Sequence, residues 1–257
     1  MSAARFERVA AITGAGSGIG AALARRLAVP GTALMLHTRG AEAASRERLD
    51  ALAVECTALG AATATCCADL AERGAAEHVV HQTLAQFGAL DHLVANAGFA
   101  QRQTLAGLDA DALAASFAAM PAAFAALVKR AAPALETSPR GRVVAVSSFV
   151  AHRYRVDTPF AATAAAKAAL ESLVKTAAAE LGPHAVTVNC VAPGYTRKDH
   201  GPHANNAAAW TRAADATPLN RIAEPAEIAA LIAFLLSDDA QHITGQVIHI
   251  DGGLTLG

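Results

Sequence analysis

Apolar residues along this chain alternate between short runs rich in β-branched and small side chains and longer stretches with helical spacing. The short runs predict strands at Val9–Thr13, Ala33–Thr38, Ala62–Cys67, His92–Asn96, Val143–Ser147, Val186–Val191 and Val247–Ile250. Helical spacing fills the intervals, first over Ser17–Ala28 and later over two long apolar-faced segments, around Pro121–Leu135 and Phe160–Leu181. Strands separated by helices need right-handed crossovers and a parallel sheet covered on both sides. The expectation is an α/β fold, a doubly wound parallel sheet of about seven strands with helices on both faces. No linker or internal repeat interrupts the pattern, so a single domain over residues 1–257 is expected. One segment breaks the rhythm: residues 194–220, Gly194 to Asn220, are rich in His, Asn, Pro and charge and follow the sixth strand. Open α/β sheets bind ligands at the C-terminal edge of their strands, so this segment is a substrate loop or lid, or else a plain surface loop.

Composition narrows the partners. The chain of 257 residues is 53% hydrophobic and 17% charged, which excludes disorder for the bulk of it. Lys and Arg number 21 against 22 Asp and Glu, so no global field exists to hold nucleic acid or an acidic membrane surface. Cys56, Cys66, Cys67 and Cys190 have no CxxC spacing and read as small core residues. The N-terminus lacks the pattern of a signal peptide, and the longest apolar run, Ile228 to Leu236, is too short to span a bilayer, so a cytoplasmic protein is expected. Aromatics make up 4% of the chain while alanine is abundant, which suits helices packed closely on a sheet.

The first strand runs into Thr13-Gly14-Ala15-Gly16-Ser17-Gly18-Ile19-Gly20, and this turn opens directly into a helix. A dinucleotide pyrophosphate needs backbone N–H groups at a helix N-terminus and residues without a β-carbon where the chain turns and approaches it. Gly14, Gly18 and Gly20 are therefore candidate cofactor residues, with Ser17 and Ile19 between them. The second strand ends His37-Thr38-Arg39-Gly40 with no carboxylate before Glu42. An acidic residue there binds the ribose 2′-hydroxyl of NAD, whereas arginine accommodates the 2′-phosphate of NADP. Arg39 with Thr38 thus points to NADP in preference to NAD. Asp199, His200 and His203 stand close in sequence, but Gly201 and Pro202 prevent helical presentation, and no metal site is expected.

With these residues in view the whole chain resembles the short-chain dehydrogenase/reductase family, whose fold is Rossmann-like. The turn TGAGSGIG matches the family's TGxxxGxG, and further matches follow in order: Asp69-Leu70, Asn96-Ala97-Gly98, Ser147-Ser148, Lys167, Pro193-Gly194 and Asp251-Gly252-Gly253. The resemblance implies that Asp69 and Leu70 lie near the adenine, that Asn96, Ala97 and Gly98 line the cofactor, and that Pro193, Gly194 and Thr196 flank the nicotinamide. It also implies hydride transfer between a nicotinamide and a carbonyl or alcohol. In the family a serine orients the substrate oxygen, here Ser148 with Ser147 able to exchange roles. A lysine, here Lys167, holds the nicotinamide ribose. A tyrosine four residues before that lysine is the general acid/base, and an asparagine on an earlier helix completes a proton relay.

Two of these four groups have no counterpart. The position four before Lys167 is Thr163, and the position seven before it, where the enoyl-reductase branch keeps its tyrosine, is Phe160. Ser116 to Pro121 occupies the usual place of the relay asparagine and contains none. Ser148, Thr163 and Lys167 are left as the catalytic candidates. Three readings follow. The first is an NADP-dependent oxidoreductase whose proton comes from Tyr154, Tyr195, His152, a water held by Thr163 and Lys167, or the substrate itself. The second is a catalytically impaired nucleotide-binding or regulatory partner; the third is a lyase or isomerase on the same scaffold. His152-Arg153-Tyr154-Arg155 and Arg197-Lys198 would flank the substrate mouth, which points to a small molecule, an anionic one if the arginines are free. The resemblance also implies a homodimer or homotetramer, paired through the two long helices and the last strand.

Overall fold

The computed structural model describes residues 6–157, 159–198 and 207–256. Its strands are β1 (Arg8–Ile12), β2 (Thr32–Thr38), β3 (Ala62–Cys67), β4 (His92–Ala95), β5 (Arg142–Val146), β6 (Thr187–Pro193) and β7 (Val247–Ile250). They form one sheet in the order β3-β2-β1-β4-β5-β6-β7, every pairing parallel. The helices are α1 (Gly18–Leu27), α2 (Ala43–Ala58), α3 (Ala75–Phe87), α4 (Ala110–Phe117), α5 (Ala123–Thr137), α6 (Ala161–Leu181), α7 (Ala207–Asp215) and α8 (Pro225–Leu235).

The period-2 alternation of each strand divides the core in two. Ala10, Ile12, Leu34, Leu36, Val144 and Val191 pack with Leu23 of α1, Leu49 of α2 and Ile228 of α8. The alternate residues Ala11, Met35, Leu93, Val143 and Val188 pack with Val79 of α3, Phe124 and Leu127 of α5 and Val174 of α6. Burying a Leu or Phe side chain of this kind contributes about 1.5–3 kcal/mol. The doubly wound parallel sheet expected from the apolar pattern is the architecture observed.

The segment around Pro121 differs from expectation. The helical path begins at Ala110 rather than near Pro121, and α4 joins α5 through a wide π-type turn, Ala118–Ala122. Proline has no N–H to give, and a widened turn tolerates the missing bond. The resulting run, Ala110–Thr137, is the one described stretch long and apolar enough to cross a membrane. Here the buried face of its second half, Phe124, Leu127, Ala131 and Leu135, is part of the protein core.

Strand order reverses between β2-β1 and β4-β5, which opens a crevice at the C-terminal ends of β1 and β4. The glycine turn follows β1 and the Asn96-Ala97-Gly98 segment follows β4, so both arrive at that crevice.

Candidate active site

The glycine turn is held from two sides. Thr13 Oγ1 accepts the backbone N–H groups of Asn96 and Ala97, both at 3.0 Å, and donates to Val94 O. The Asn96 amide donates to the carbonyls of Thr13 and Gly14, also at 3.0 Å. These bonds stitch the ends of β1 and β4 together. They leave no room for a β-carbon at two positions: one on Gly14 would stand 2.9 Å from Ala97 Cα, and one on Gly20 would strike Gly14 O and stand 2.8 Å from Asn96 Nδ2. Gly14 and Gly18 also have positive φ, 66° and 53°, where glycine is favoured. Ser17 is the extended N-cap residue of α1 and uses no side-chain cap, so the first N–H groups of the helix, including that of Ile19, face the turn without a side-chain acceptor from Ser17. This is a cradle a dinucleotide pyrophosphate fits.

His37, which the sequence analysis did not single out, completes the cradle. It is buried, its Nδ1 accepts Gly14 N–H at 3.4 Å, and its Nε2 lies 2.9 Å from Ala68 O. Burial lowers its pKa and keeps the ring neutral, as one donor and one acceptor require. Thr38 Oγ1 pairs with Ser45 Oγ at 3.0 Å, and the Arg39 side chain is exposed at the end of β2. Asp69 caps its own turn through Ala71 N–H, and Leu70 is buried beside it.

At the end of β5 stand Ser147 and Ser148. Ser148 Oγ accepts Val150 N–H over a long 3.4 Å, which leaves its own proton available to a ligand. Lys167 is 5% exposed, and its Nζ donates to Val146 O at 2.6 Å. A β-carbon on Gly98 would lie 3.1 Å from that Nζ and 3.5 Å from Met120 Sδ, so the lysine head, Gly98 and Met120 share one small space. Burial pulls the Lys167 ammonium down from 10.5 to about 8, opposed in part by Glu171. The Cys190 thiol is pushed up to about 12 by burial and stays a neutral neighbour.

Thr163 is fully buried on the same helix, and its Oγ1 accepts Gln101 N–H at 3.1 Å. Gln103 pairs with Phe160 as a short bridge, giving N–H to Pro159 O and accepting from Ala161 N–H, both at 3.0 Å. The segment after Gly98 is thereby clasped to the start of α6, and the Thr163 oxygen is engaged in that clasp.

Glu171 is the polar group that sequence reasoning missed. It sits one turn beyond Lys167, 7% exposed, accepting from Ser147 Oγ and lying 2.9 Å from His152 Nε2. The spacing i, i+4 from Lys167 was the available signal. So Ser147 is committed to Glu171, whereas Ser148 is not. Glu171→Leu would strand the Ser147 hydroxyl and the His152 ring. We expect a loss of about 2–3 kcal/mol in denaturant unfolding, with Glu171→Gln recovering most of it.

Among the other proton-donor candidates, Tyr154 is 74% exposed and its hydroxyl donates to Ala151 O at 2.8 Å. The Tyr195 ring packs against Phe149 at a tilt of 53°, with centroids 4.6 Å apart. His152 is bonded to Glu171 and its ring lies against that of His249, centroids 4.3 Å apart. Phe149, Val150, Ala164 and Leu254, with Phe160, Tyr195 and Ala216, form a separate apolar cluster beside these residues. Arg155 is paired with Asp157 at 2.8 Å and Arg197 with Glu224 at 2.7 Å, so neither arginine stands free for the anionic substrate expected from the sequence. Pro193 and Gly194 are buried at the end of β6, where a β-carbon on Gly194 would meet Asp251 Cα at 2.7 Å. Thr196 donates to Gly194 O at 3.2 Å. Arg153 reaches Leu254 O at 2.7 Å and Ala216 O at 3.4 Å, tying the loop after β5 to the segments after β7 and α7. Asp199, His200 and His203 lie outside the described residues.

Comparison with known proteins agrees with this geometry. Residues 14–255 match the family model described as enoyl-(acyl carrier protein) reductase. The chain is 34% identical to cis-4-hydroxycyclohexanecarboxylate dehydrogenase of Sinomonas cyclohexanicum, with 99% of each chain covered. It is 33% identical to cyclohexanol dehydrogenase of a Rhodococcus species, with 96% of each covered. Among solved structures, a short-chain dehydrogenase from Burkholderia cenocepacia in complex with NADP superposes with a TM-score of 0.86 at 32% identity, covering 97% of this chain and 98% of that one. A short-chain dehydrogenase/reductase from Serratia marcescens gives 0.88 at 31% identity with the same coverage. The chain belongs to the short-chain dehydrogenase/reductase family of oxidoreductases.

Proposed function

We propose that this protein is an NADP-dependent carbonyl reductase or alcohol dehydrogenase in which the Lys167 ammonium supplies the proton that a tyrosine supplies in most of the family. The observation that carries the reading is the placement of Lys167 Nζ, enclosed beside Gly98 and Met120 with one acceptor among the described residues, Val146 O. An ammonium has three N–H bonds, so two remain for a ribose hydroxyl and a substrate oxygen. Gly14, Ser17, Gly18, Ile19 and Gly20 would hold the pyrophosphate, Thr38 and Arg39 the ribose phosphate, and Asp69 and Leu70 the adenine end. Asn96, Ala97, Gly98, Pro193, Gly194 and Thr196 would line the nicotinamide half. The bound nicotinamide supplies or accepts the hydride. Ser148 Oγ–H donates to the carbonyl oxygen and fixes its direction, while Lys167 Nζ gives the proton as charge develops on that oxygen. In oxidation the neutral amine takes the alcohol proton instead.

Thr163 serves in this account as a clasp for the Gln101 backbone and not as a proton donor. Thr163→Val should therefore keep reductase turnover within about threefold of wild type while costing about 1 kcal/mol in stability; loss of turnover on the scale of Lys167→Met would reassign the acid. Arg39→Gln should weaken NADPH binding by about tenfold or more and leave NADH binding unchanged, read by fluorescence titration.

The substrate we infer is an alicyclic or similarly apolar secondary alcohol and its ketone. Support comes from the apolar cluster of Phe149, Val150, Leu254 and Tyr195 beside Ser148, and from the ring alcohols named for two relatives. We assign residues 1–257 to one nucleotide-binding unit, residues 194–220 to its substrate loop, and the outward Ala165, Ala168 and Ser172 face of α6 to pairing in a dimer or tetramer. A second reading, nucleotide binding without turnover, draws on the engaged Thr163 oxygen and on Met120 beside the lysine. Wild-type turnover of any ketone excludes it.

A further inference from the structure

Two successive residues at the end of β5 hold two opposite charges of α6. Val146 O accepts from Lys167 Nζ at 2.6 Å, and the hydroxyl of the next residue, Ser147, donates to Glu171 Oε1. Lys167 and Glu171 are four residues apart, so they share one face of the helix with about 5–6 Å between their β-carbons. Both belong to the buried strip of α6 that packs against β6. Charges at this depth are poorly screened by water and salt. Among the described residues Glu171 is the carboxylate that bears on Lys167 and favours its charged form.

The groups that face this pair come from three further elements. Cys190 of β6 lies beside both charges, and its thiol stays neutral. His152, in the loop after β5, sets Nε2 2.9 Å from Glu171 Oε1 with its side chain 28% exposed, so the row meets solvent there. Beyond it the His249 ring of β7 lies against His152. His249 Nδ1 is in turn 2.9 Å from Thr255 Oγ1, which donates to Asp251 Oδ2 at 2.6 Å. Among the described residues no arginine or lysine forms an ion pair with Glu171, whose contact of that kind is with His152. Ser147 and His152 thus fix the carboxylate in place and leave its charge to act on Lys167.

We propose that Glu171 is a positioning residue for the proton donor: its buried carboxylate keeps the Lys167 ammonium charged at neutral pH, and Ser147 and His152 hold that carboxylate one helical turn away. The role in turnover rests on the reading of Lys167 as the acid, whereas the electrostatic link between the two side chains does not. Burial alone favours the free amine, which has no acidic proton for a developing alkoxide. A carboxylate one turn away offsets part of that loss without touching the substrate. It therefore sets the pH range over which the acid is present and not the rate of the protonated form.

An NMR titration of the lysine side-chain signals in the full chain tests the link, with the Lys167 signal identified by its loss in Lys167→Met. Wild type should titrate near pH 8. Glu171→Gln keeps the shape and a partner for Ser147, and should lower that midpoint by about 1 pH unit. Glu171→Asp, a charge on a shorter arm, should recover more than half of the change. Single-turnover NADPH oxidation with a cyclohexanone-type substrate separates this role from a merely structural one. The deficit of Glu171→Gln against wild type should grow from little at pH 6 to about fivefold at pH 8, where about half of the wild-type lysine but about a tenth of the variant's carries a proton. A Lys167 midpoint that stays near pH 8 in Glu171→Gln, or that falls equally in Glu171→Gln and Glu171→Asp, would overturn the proposal. A midpoint that falls while the rate does not follow it supports the electrostatic link and overturns instead the reading of Lys167 as the proton donor.

Discussion

Lys167→Met should abolish ketone reduction and at the same time make the protein more stable. A methionine fills the same channel without an ammonium, so the proton donor and a ribose contact go together, and kcat should fall by about a thousandfold or more. Stability moves the other way because the lysine is held at about 8 against an ordinary 10.5, chiefly by burial. That difference corresponds to about 3 kcal/mol of cost to the folded state. Loss of the bond to Val146 O returns about 1 kcal/mol, leaving a net gain of about 2 kcal/mol. The sign has a pH signature. Between pH 8 and 10.5 the unfolded lysine keeps a proton that the folded one has released, so wild-type stability rises with pH in that window. The cost is complete below pH 8 and gone above 10.5, and the stability gap between Lys167→Met and wild type should close across it. Denaturant melts of both proteins at a series of pH values measure that gap; a gap that stays constant would mean the lysine is not desolvated.

Gly20→Ala should destroy the cofactor cradle. Its methyl would strike Gly14 O and approach Asn96 Nδ2 to 2.8 Å and Ala15 Cα to 2.9 Å. Gly14 O and Ala15 Cα are backbone atoms of the turn, and the Asn96 amide is held by its bonds to Thr13 O and Gly14 O, so the turn itself must move. We expect destabilisation on the order of 4 kcal/mol and NADPH affinity reduced by about a hundredfold or more. Gly18→Ala provides the contrast. No atom lies within 4 Å of the added carbon, and the cost is the positive φ of 53°, about 1 kcal/mol. Thermal unfolding and NADPH titration of the pair separate collision from backbone strain, and similar losses in both would show that the collision is not what matters.

The strands were legible because a parallel sheet buried on both faces leaves short continuous apolar runs, as at Thr32–Thr38, where every residue is buried. The glycine turn was legible because its chemistry lies in absent side chains at fixed spacing. Pairwise polar bonds were not. Nothing in the local sequence around Thr163 announces that its oxygen receives Gln101 N–H, 62 residues away. Glu171 reads as one more polar residue on an alanine-rich helix until Ser147 and His152 close on it. The arginines at the substrate mouth invited an acidic ligand, yet Arg155 finds its carboxylate two residues away, at Asp157. The helix expected around Pro121–Leu135 is α5, but its continuation back to Ala110 was not legible, because a widened turn carries the helical path past the interior proline.

The most direct test of the proton donor is the single-turnover rate of NADPH oxidation by wild-type enzyme with a cyclohexanone-type substrate, followed from pH 6 to pH 10. The account predicts a rate that is flat at low pH and falls as Lys167 loses its proton near pH 8, with Thr163→Val tracing the same curve. A rate that persists undiminished to pH 10, or no oxidation at any pH by enzyme saturated with NADPH, would contradict it.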